Sequence, residues 1–168
     1  MNGAPGSTLR VRLADLTDAD ALQELSTASI RQVAASHYTG PQVEAWAATR
    51  TATRHRQMIR ETTVLVAVDA GDAVAGFASI ALTPTGQLER GEIDHLFVGP
   101  GHGGRGVARL LLGAIELAAA GAGVTELLTH ASWRAAPVFE RLGFRQVEVE
   151  TVHVADQVLT RAFMRKRV

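Results

Sequence analysis

No cysteine occurs in the 168 residues. A disulfide frame, a thiolate nucleophile and a cysteine zinc site are therefore excluded. Lysine is almost absent too: Lys166 stands alone against sixteen arginines. A Schiff-base lysine or a phosphate-loop lysine is nearly excluded by supply. Neither sign of charge is in excess, with 17 basic and 17 acidic residues. Nothing therefore points to nucleic acid or another polyanion as a partner. No apolar run reaches membrane-spanning length; the best, Val107–Ala120, is broken by Arg109 and Glu116. The first residues, MNGAPGST, lack the basic-then-apolar order of a signal peptide. No membrane association is expected, and the cytoplasm is the expected location. No two histidines have the i, i+4 spacing of a helical zinc site, so no metal is expected.

What is present suits one globular domain. Hydrophobic residues make up 46% of the chain, and its length allows one full-sized core. Residues 1–8 are small and polar and read as a disordered tail, leaving 9–168 as a single domain. Leu9–Leu13 alternates apolar residues with arginine, as a strand does. Thr17 or Asp18 can cap a helix reaching about Ala35. A second helical stretch starts at Pro41, and a third covers Thr53–Glu61. Thr63–Asp69 and Val74–Leu82 form a hairpin around Ala70-Gly71-Asp72. Leu88–Val98 is a long strand, followed by a glycine-rich loop and a helix over Gly106–Ala120 that Gly121 and Gly123 end. Val124–Ala131 is a strand and Ala135–Leu142 a short helix. Arg145–Val154 and Val158–Arg167 form a last hairpin. The order predicts an α/β (α+β) fold with a mixed, mostly antiparallel central sheet of about seven strands and helices on both faces. Exposed strands near the C-terminus could pair two subunits as a homodimer.

The loop is the most informative stretch. Gly101-His102-Gly103-Gly104-Arg105-Gly106 lies between a strand and a helix. A helix N-terminus carries unpaired N–H groups and about half a positive charge, and glycines let an anion approach the backbone. The spacing satisfies the dinucleotide fingerprint GxGxxG, but an antiparallel hairpin precedes it, and the expected acid at the end of the next strand is His130. Gly101 and Gly106 also have P-loop spacing. Val107-Ala108 stands where Lys-Ser/Thr is required, which argues against nucleotide hydrolysis.

A third reading comes from resemblance. Leu96-Phe97-Val98, Pro100 and Gly103–Ala108 resemble motif A of the GNAT superfamily of N-acetyltransferases. Pro137–Phe144, reading PVFERLGF, is similar to the second signature of that family. The two occur in the family's order, and the resemblance extends over about Leu9–Arg167. It implies binding of acetyl-CoA as co-substrate and transfer of its acetyl group to a primary amine of a small molecule or peptide. It implies that the N–H groups of Gly103, Gly104, Arg105, Gly106, Val107 and Ala108 hold the pyrophosphate. It also implies that Phe97 and Val98 pair by backbone with the pantetheine arm. Three positions depart from the family pattern. The Gln/Arg at the head of the loop motif is Gly103, which Arg105 or His102 could offset. The Asn before the second signature is Arg134. The Tyr that protonates the departing thiolate is Phe139.

The chemistry ranks the remaining candidates. A lysine-type amine has a pKa of ~10.4, so stripping its proton at neutral pH costs ~4–5 kcal/mol, whereas a thiol of pKa ~8.5 needs only ~2 kcal/mol of help. A general base matters more than the missing tyrosine acid. Without a cysteine, direct attack is preferred over an acyl-enzyme. His130 is the first choice of base, since histidine as a residue type titrates near ~6.5 and relatives of similar pattern place a Glu there. The alternative is a strand-end histidine bonding carbonyls. Asp94 and His95 are further candidates. Simple alternation puts Glu92 and Asp94 on one face and His95 on the other, with Glu92 in solvent. Tyr38 and Trp46 flank the break between the first helices, a segment that forms part of the acceptor pocket in the family. For Trp46, packing of an amphipathic helix against the sheet is the favoured role. His37 and His55 read as surface residues. Arg54, Arg56 and Arg60 form a helical face for the 3′-phosphate of CoA, an acidic acceptor or water.

Two rival readings remain. Phe139 and Arg134 suit a non-catalytic acyl-CoA-binding or sensing module. The glycine spacing suits a nicotinamide-dinucleotide-binding oxidoreductase. Thermal unfolding separates the cofactors: a ligand at a hundred times its dissociation constant stabilises by ~2.7 kcal/mol. Acetyl-CoA is expected to raise the midpoint and NADH or NADPH to leave it unmoved. A shift with the nicotinamide alone would sink the acetyltransferase reading.

Overall fold

A computed structural model describes residues 8–168. The expected tail therefore lies, apart from Thr8, outside the described residues. The strands are β1 (Arg10–Leu13), β2 (Thr63–Val68), β3 (Val74–Ile80), β4 (Glu92–Val98), β5 (Glu126–Ala131), β6 (Arg145–Val154) and β7 (Gln157–Arg167). The helices are α1 (Ala19–Val33), α2 (Gly40–Ala48), α3 (Ala52–Glu61), α4 (Val107–Gly121) and α5 (Ala136–Arg141). The strands form one seven-stranded sheet in the order β1-β2-β3-β4-β5-β7-β6. Every pairing is antiparallel except β4 with β5. Among the described residues no helix is long and apolar enough to cross a membrane.

The strand pattern sorts side chains onto two faces. Val64, Val66, Val68 and Phe77 meet Leu22, Leu25 and Met58 of α1 and α3 on one. Leu65, Ala78, Ile80, Ile93 and Leu127 meet Leu111 and Ile115 of α4 on the other. Burying each large apolar side chain contributes roughly 1.5–3 kcal/mol.

Local chemistry sets the helix ends. Asp15, two residues before the earliest expected cap, accepts the Thr17 N–H at 2.7 Å, while Asp18 accepts the Asp15 N–H at 2.8 Å. Asp18 is thus buried against Arg12, with contacts of 2.8 and 2.9 Å, instead of capping α1 through its side chain. Thr39 and Thr51 cap α2 and α3. Helix α4 differs: Gly106 precedes it in the left-handed region, φ 79°, and no side chain caps it. At its other end Gly121 still belongs to the helix, and Gly123, φ 69°, makes the turn.

The expected strand over Leu88–Val98 is corrected at its start. Residues 81–91 form a loop closed by a bridge between Thr85 and Leu88, and β4 begins only at Glu92. Gly91 sits at the entry with φ 87°, and a Cβ there would stand 2.3 Å from the Glu126 carbonyl oxygen. Only glycine allows both the dihedral and the approach of β4 to β5. Gly91→Ala is expected to destabilise by about 3 kcal/mol or more. Chemical denaturation of the two proteins measures it, and an unchanged midpoint would refute this account of the strand entry.

Candidate active site

The parallel pairing of β4 with β5 is short. It covers Glu92 opposite Leu128 and Ile93 opposite Thr129, and then stops. The Thr129 hydroxyl takes the Ile93 carbonyl at 2.9 Å, ending the ladder. Beyond that point β4 keeps β3 on one side and has no strand on the other. Antiparallel pairing alternates which residues face the partner. Phe97 pairs with Phe77 in this register, and the Gly99 N–H reaches the Ala75 carbonyl at 2.8 Å. Alternation from that bond assigns the Phe97 N–H and C=O to β3 and turns those of Leu96 and Val98 to the open side. Of the two backbones expected to meet an extended ligand arm, Val98 therefore has free groups; Phe97 instead contributes its ring.

The glycine loop follows directly. Gly104, φ 73°, and Gly106, φ 79°, hold dihedrals that suit glycine. A Cβ on Gly101, Gly103, Gly104 or Gly106 would meet nothing within 4 Å, so the backbone lies open. The uncapped α4 N-terminus, with Val107 and Ala108 in its first turn, adds donors and positive potential. Arg105 is exposed at this loop, whereas His102 folds back over Gly99. These features fit a pyrophosphate and an extended arm continuing along β4.

Where the strands part, a cleft of about 750 Å³ opens. Tyr38, Trp46, Phe97, Glu92, Asp94 and His130 all line it. The alternation expected along β4 does not hold. Register shifts between Ser79 and Ile80, which pair with His95 and Ile93, so Asp94 is the extra residue of a bulge. The bulge puts His95 on the same face as Glu92. His95 then stacks on Phe77 at 6.1 Å and lies 6.2 Å from the His55 ring.

Glu92 is not in solvent. Its residue is 7% exposed, and a carboxylate oxygen accepts the Glu89 N–H at 2.8 Å. Burial pushes its pKa above the ordinary carboxylate value, against the pull of the Glu89 N–H and of His130. The other oxygen lies 3.7 Å from His130 Nε2. His130 Nδ1 is 2.6 Å from Glu150 of β6, and Arg161 of β7 donates to the same Glu150 oxygen at 3.1 Å. Burial alone would raise Glu150, but the His130 and Arg161 hydrogen bonds and charges outweigh it and hold the carboxylate low. The His130 ring also stacks on Phe163 at 4.8 Å. Four strands thus place Glu92, His130, Arg161 and Glu150 in a row across one face. His130 therefore bonds the Glu150 carboxylate here, not the strand-end carbonyls of the alternative reading.

A second group of side chains uses the other candidates differently. His95 Nδ1 lies 2.9 Å from Asp94 Oδ2 and 3.1 Å from Ser79 Oγ, and Arg50 Nη1 approaches His95 Nε2 at 2.5 Å. A guanidinium can only donate, so Nε2 carries the lone pair and Nδ1 the proton. That lone pair is already occupied, which removes His95 as a free base. Asp94 lines the cleft; burial raises it, but the hydrogen bond and charge of His95, with Arg50 and Arg161, leave it below its ordinary value.

Other expectations change with packing. Tyr38 OH donates to the Thr160 carbonyl at 3.1 Å and accepts the Trp133 N–H at 3.0 Å, so its hydroxyl ties the cleft wall together while its ring lines it. Trp46 packs edge-on against Tyr38 at 5.8 Å and also reaches the cleft. Phe139 is 2% exposed, with its ring 5.0 Å from Phe144 inside the core, so it lines no cleft. Arg134 is exposed. His55 is 1% exposed, bonded to the Thr51 carbonyl at 2.8 Å, and is no surface residue. Among the described residues no group of three or more His, Asp or Glu is arranged to hold a metal.

Three comparisons bear on this geometry. Residues 34–159 match the family model described as an acetyltransferase (GNAT) domain. The chain is 33% identical over 148 residues to YafP of Escherichia coli K12, an uncharacterized N-acetyltransferase, covering 85% of this chain and 87% of that one. It superposes on a GCN5-related N-acetyltransferase from Rhodopseudomonas palustris with a TM-score of 0.85, at 30% identity, covering 96% and 97% of the two chains. PaiA N-acetyltransferase of Thermoplasma acidophilum, solved in complex with coenzyme A, shares the fold at a TM-score of 0.76 and 16% identity, covering 96% and 99%.

Glu92 supplies a pH test. A folded-state pKa above the unfolded value means that the native state binds the extra proton. The contribution is fully present below the unfolded pKa and lost as pH rises through the folded one. Glu92→Gln is therefore expected to stabilise at pH 8 on the order of 1 kcal/mol, about 2–4 °C, and the gain should vanish towards pH 4. Melts across that range check it; a gain independent of pH would contradict the buried, charge-averse carboxylate.

Proposed function

The chain belongs to the GNAT family of acetyltransferases, and on that premise we propose that it transfers the acetyl group of acetyl-CoA to a primary amine by direct attack. The observation that carries the assignment of roles is the His130–Glu150 contact of 2.6 Å. An ammonium must lose a proton before it can attack. Glu150 accepts from Nδ1–H and holds the ring in one tautomer, which leaves the Nε2 lone pair at the cleft. Arg161 fixes Glu150 in turn. His130 is the base, Glu150 its positioning residue, and Glu92 the neighbour that favours a cation beside Nε2.

Acetyl-CoA, when bound, supplies an activated acyl carbon and a good leaving group. His130 takes the proton that the ammonium must lose; the amine nitrogen then bonds to that carbon, the carbon–sulfur bond breaks, CoA departs as thiolate, and the second proton leaves the new amide nitrogen to solvent. The loop N–H groups from Gly103 to Ala108 hold the pyrophosphate, and the backbone at Leu96 and Val98 pairs with the arm. Phe139 has no proton to give and lies in the core, so the thiolate is protonated by solvent. Tyr38 and Trp46 form the acceptor wall. The fold shared with the coenzyme A complex of the Thermoplasma protein supports the cofactor reading.

Steady-state thiol release tests the roles. His130→Ala is expected to lower kcat about 10²–10⁴-fold with little change in the KM for acetyl-CoA. Glu150→Gln is expected to lower kcat/KM about 10–100-fold, with the loss in kcat and little change in the KM for acetyl-CoA, because the ring loses the partner that holds it. Indifference of the rate to His130→Ala, or no turnover over any amine panel despite tight acetyl-CoA binding, would favour the sensing module instead.

A further inference from the structure

Two arginines that line the cleft make no ion pair among the described residues. Arg50, in the α2–α3 connection, and Arg54, in the first turn of α3, both line the cleft and a smaller adjoining pocket of about 280 Å³. Arg161, on the opposite wall, is paired with Glu150. No carboxylate among the described residues comes within ion-pair distance of Arg50 or Arg54.

Arg50 is fixed in place. Its Nε and Nη2 donate to Thr49 Oγ1 at 3.0 and 2.9 Å, and Nη1 donates to His95 Nε2 at 2.5 Å. Thr49 is held by the Trp46 carbonyl at 2.7 Å, and His95 by Asp94. A guanidinium has five N–H groups. Three are used, so one remains on each terminal nitrogen, a pair of donors matched to a two-oxygen anion. The partners of Arg50 are a neutral hydroxyl and a neutral imidazole, so the positive charge is oriented but not neutralised. Burial pulls it below the ordinary guanidinium value and Arg54 adds to that, with only Asp94 opposing. Asp94 itself is turned to His95.

We propose that Arg50 and Arg54 bind an anionic group of the acceptor, so that the substrate is an amine that also carries a carboxylate or phosphonate, such as an amino acid. The amine faces His130 and Glu92 while the anion faces the two arginines, one charge for each wall. The inference rests on the acetyl-transfer reading for the place of the amine, and on the arginines alone for the anion. A polyamine is the contrasting class: it would bring further cations to a cleft that already holds two unpaired ones.

Calorimetry on the protein saturated with coenzyme A tests this without turnover. The probes are the common amino acids, their amides, the corresponding decarboxylated amines, 1-aminophosphonates and spermidine. At least one amino acid or aminophosphonate is expected to bind about 10–100-fold more tightly than its amide and its decarboxylated amine. Arg50→Gln and Arg54→Gln are each expected to shrink that ratio several-fold. Arg54 is exposed, so its variant keeps the test valid if Arg50→Gln misfolds. Equal binding of acids and amides, preference for spermidine, a ratio untouched by Arg54→Gln, or no binding by any probe would each overturn the proposal. The bound acids are then mixed with acetyl-CoA. Acid-selective binding without thiol release leaves the anion site standing and sinks the acetyl-transfer reading, whereas thiol release with amides as readily as acids does the reverse.

Discussion

The site depends on β4 leaving β5. An edge that stays paired has no hydrogen bonds to offer, and an edge left open in a soluble protein invites unwanted pairing. Here two adjacent residues of β4 pair, and the Thr129 hydroxyl then closes the ladder on the Ile93 carbonyl. What remains open is a few backbone groups at the bottom of a cleft, leading straight into a glycine loop whose backbone lies open. The bulge at Asp94 belongs to the same device. It turns His95 onto the face that Glu92 already occupies, and so gathers both into one cavity wall. Gly91 permits the close approach before the parting, and the open glycines permit the approach of an anion after it.

Two side-chain relays face each other across that opening, and they differ in sign. Glu92, His130, Glu150 and Arg161 run across four strands, with two carboxylates around one imidazole. Asp94, His95 and Arg50 use the same residue types in another order. There the guanidinium occupies the imidazole lone pair, and the histidine serves to aim a cation. The chemistry of a histidine is thus set by which neighbour reaches Nε2: at His130 it is a carboxylate 3.7 Å away, at His95 a guanidinium at 2.5 Å.

Most of the fold was legible because its signals are local. Valine-rich β2, the turn before β3, Pro41 at the start of α2, and the glycine cluster before α4 each identify themselves within a few residues. The fingerprint-like loop needed only its context to be read. The cleft was legible in part. His130 was picked out because relatives of similar pattern place a Glu there, and Tyr38 and Trp46 because the break between the first helices forms part of the acceptor pocket in the family; all three line the cleft. Glu92 was not, because alternation assumes an uninterrupted ladder and nothing in EIDHLFV announces a bulge. Glu150 was not, because it meets His130 only through the β5-β7-β6 order, where the C-terminal hairpin inserts its second strand next to β5. An alternating acidic strand such as QVEVE reads as a solvated edge until that order is known. His55, with arginines on both sides, reads as surface for the same reason: sequence neighbours share a helix but not a face.

Phe139 is the remaining departure from the pattern, and energetics show why it can be tolerated. Its ring is packed on Phe144, so the position contributes to the core whatever stands there. A hydroxyl at that depth would need a partner or cost roughly 1–3 kcal/mol when left unsatisfied. What a tyrosine acid would supply is help to a thiolate of intrinsic pKa ~8.5, at most ~2 kcal/mol at neutral pH. Removing a proton from an amine of pKa ~10.4 is the larger demand, ~4–5 kcal/mol, and it is the one the proposed function assigns to His130. Under that proposal the polar side chains stand where the harder proton transfer occurs, and hydrocarbon fills the easier position.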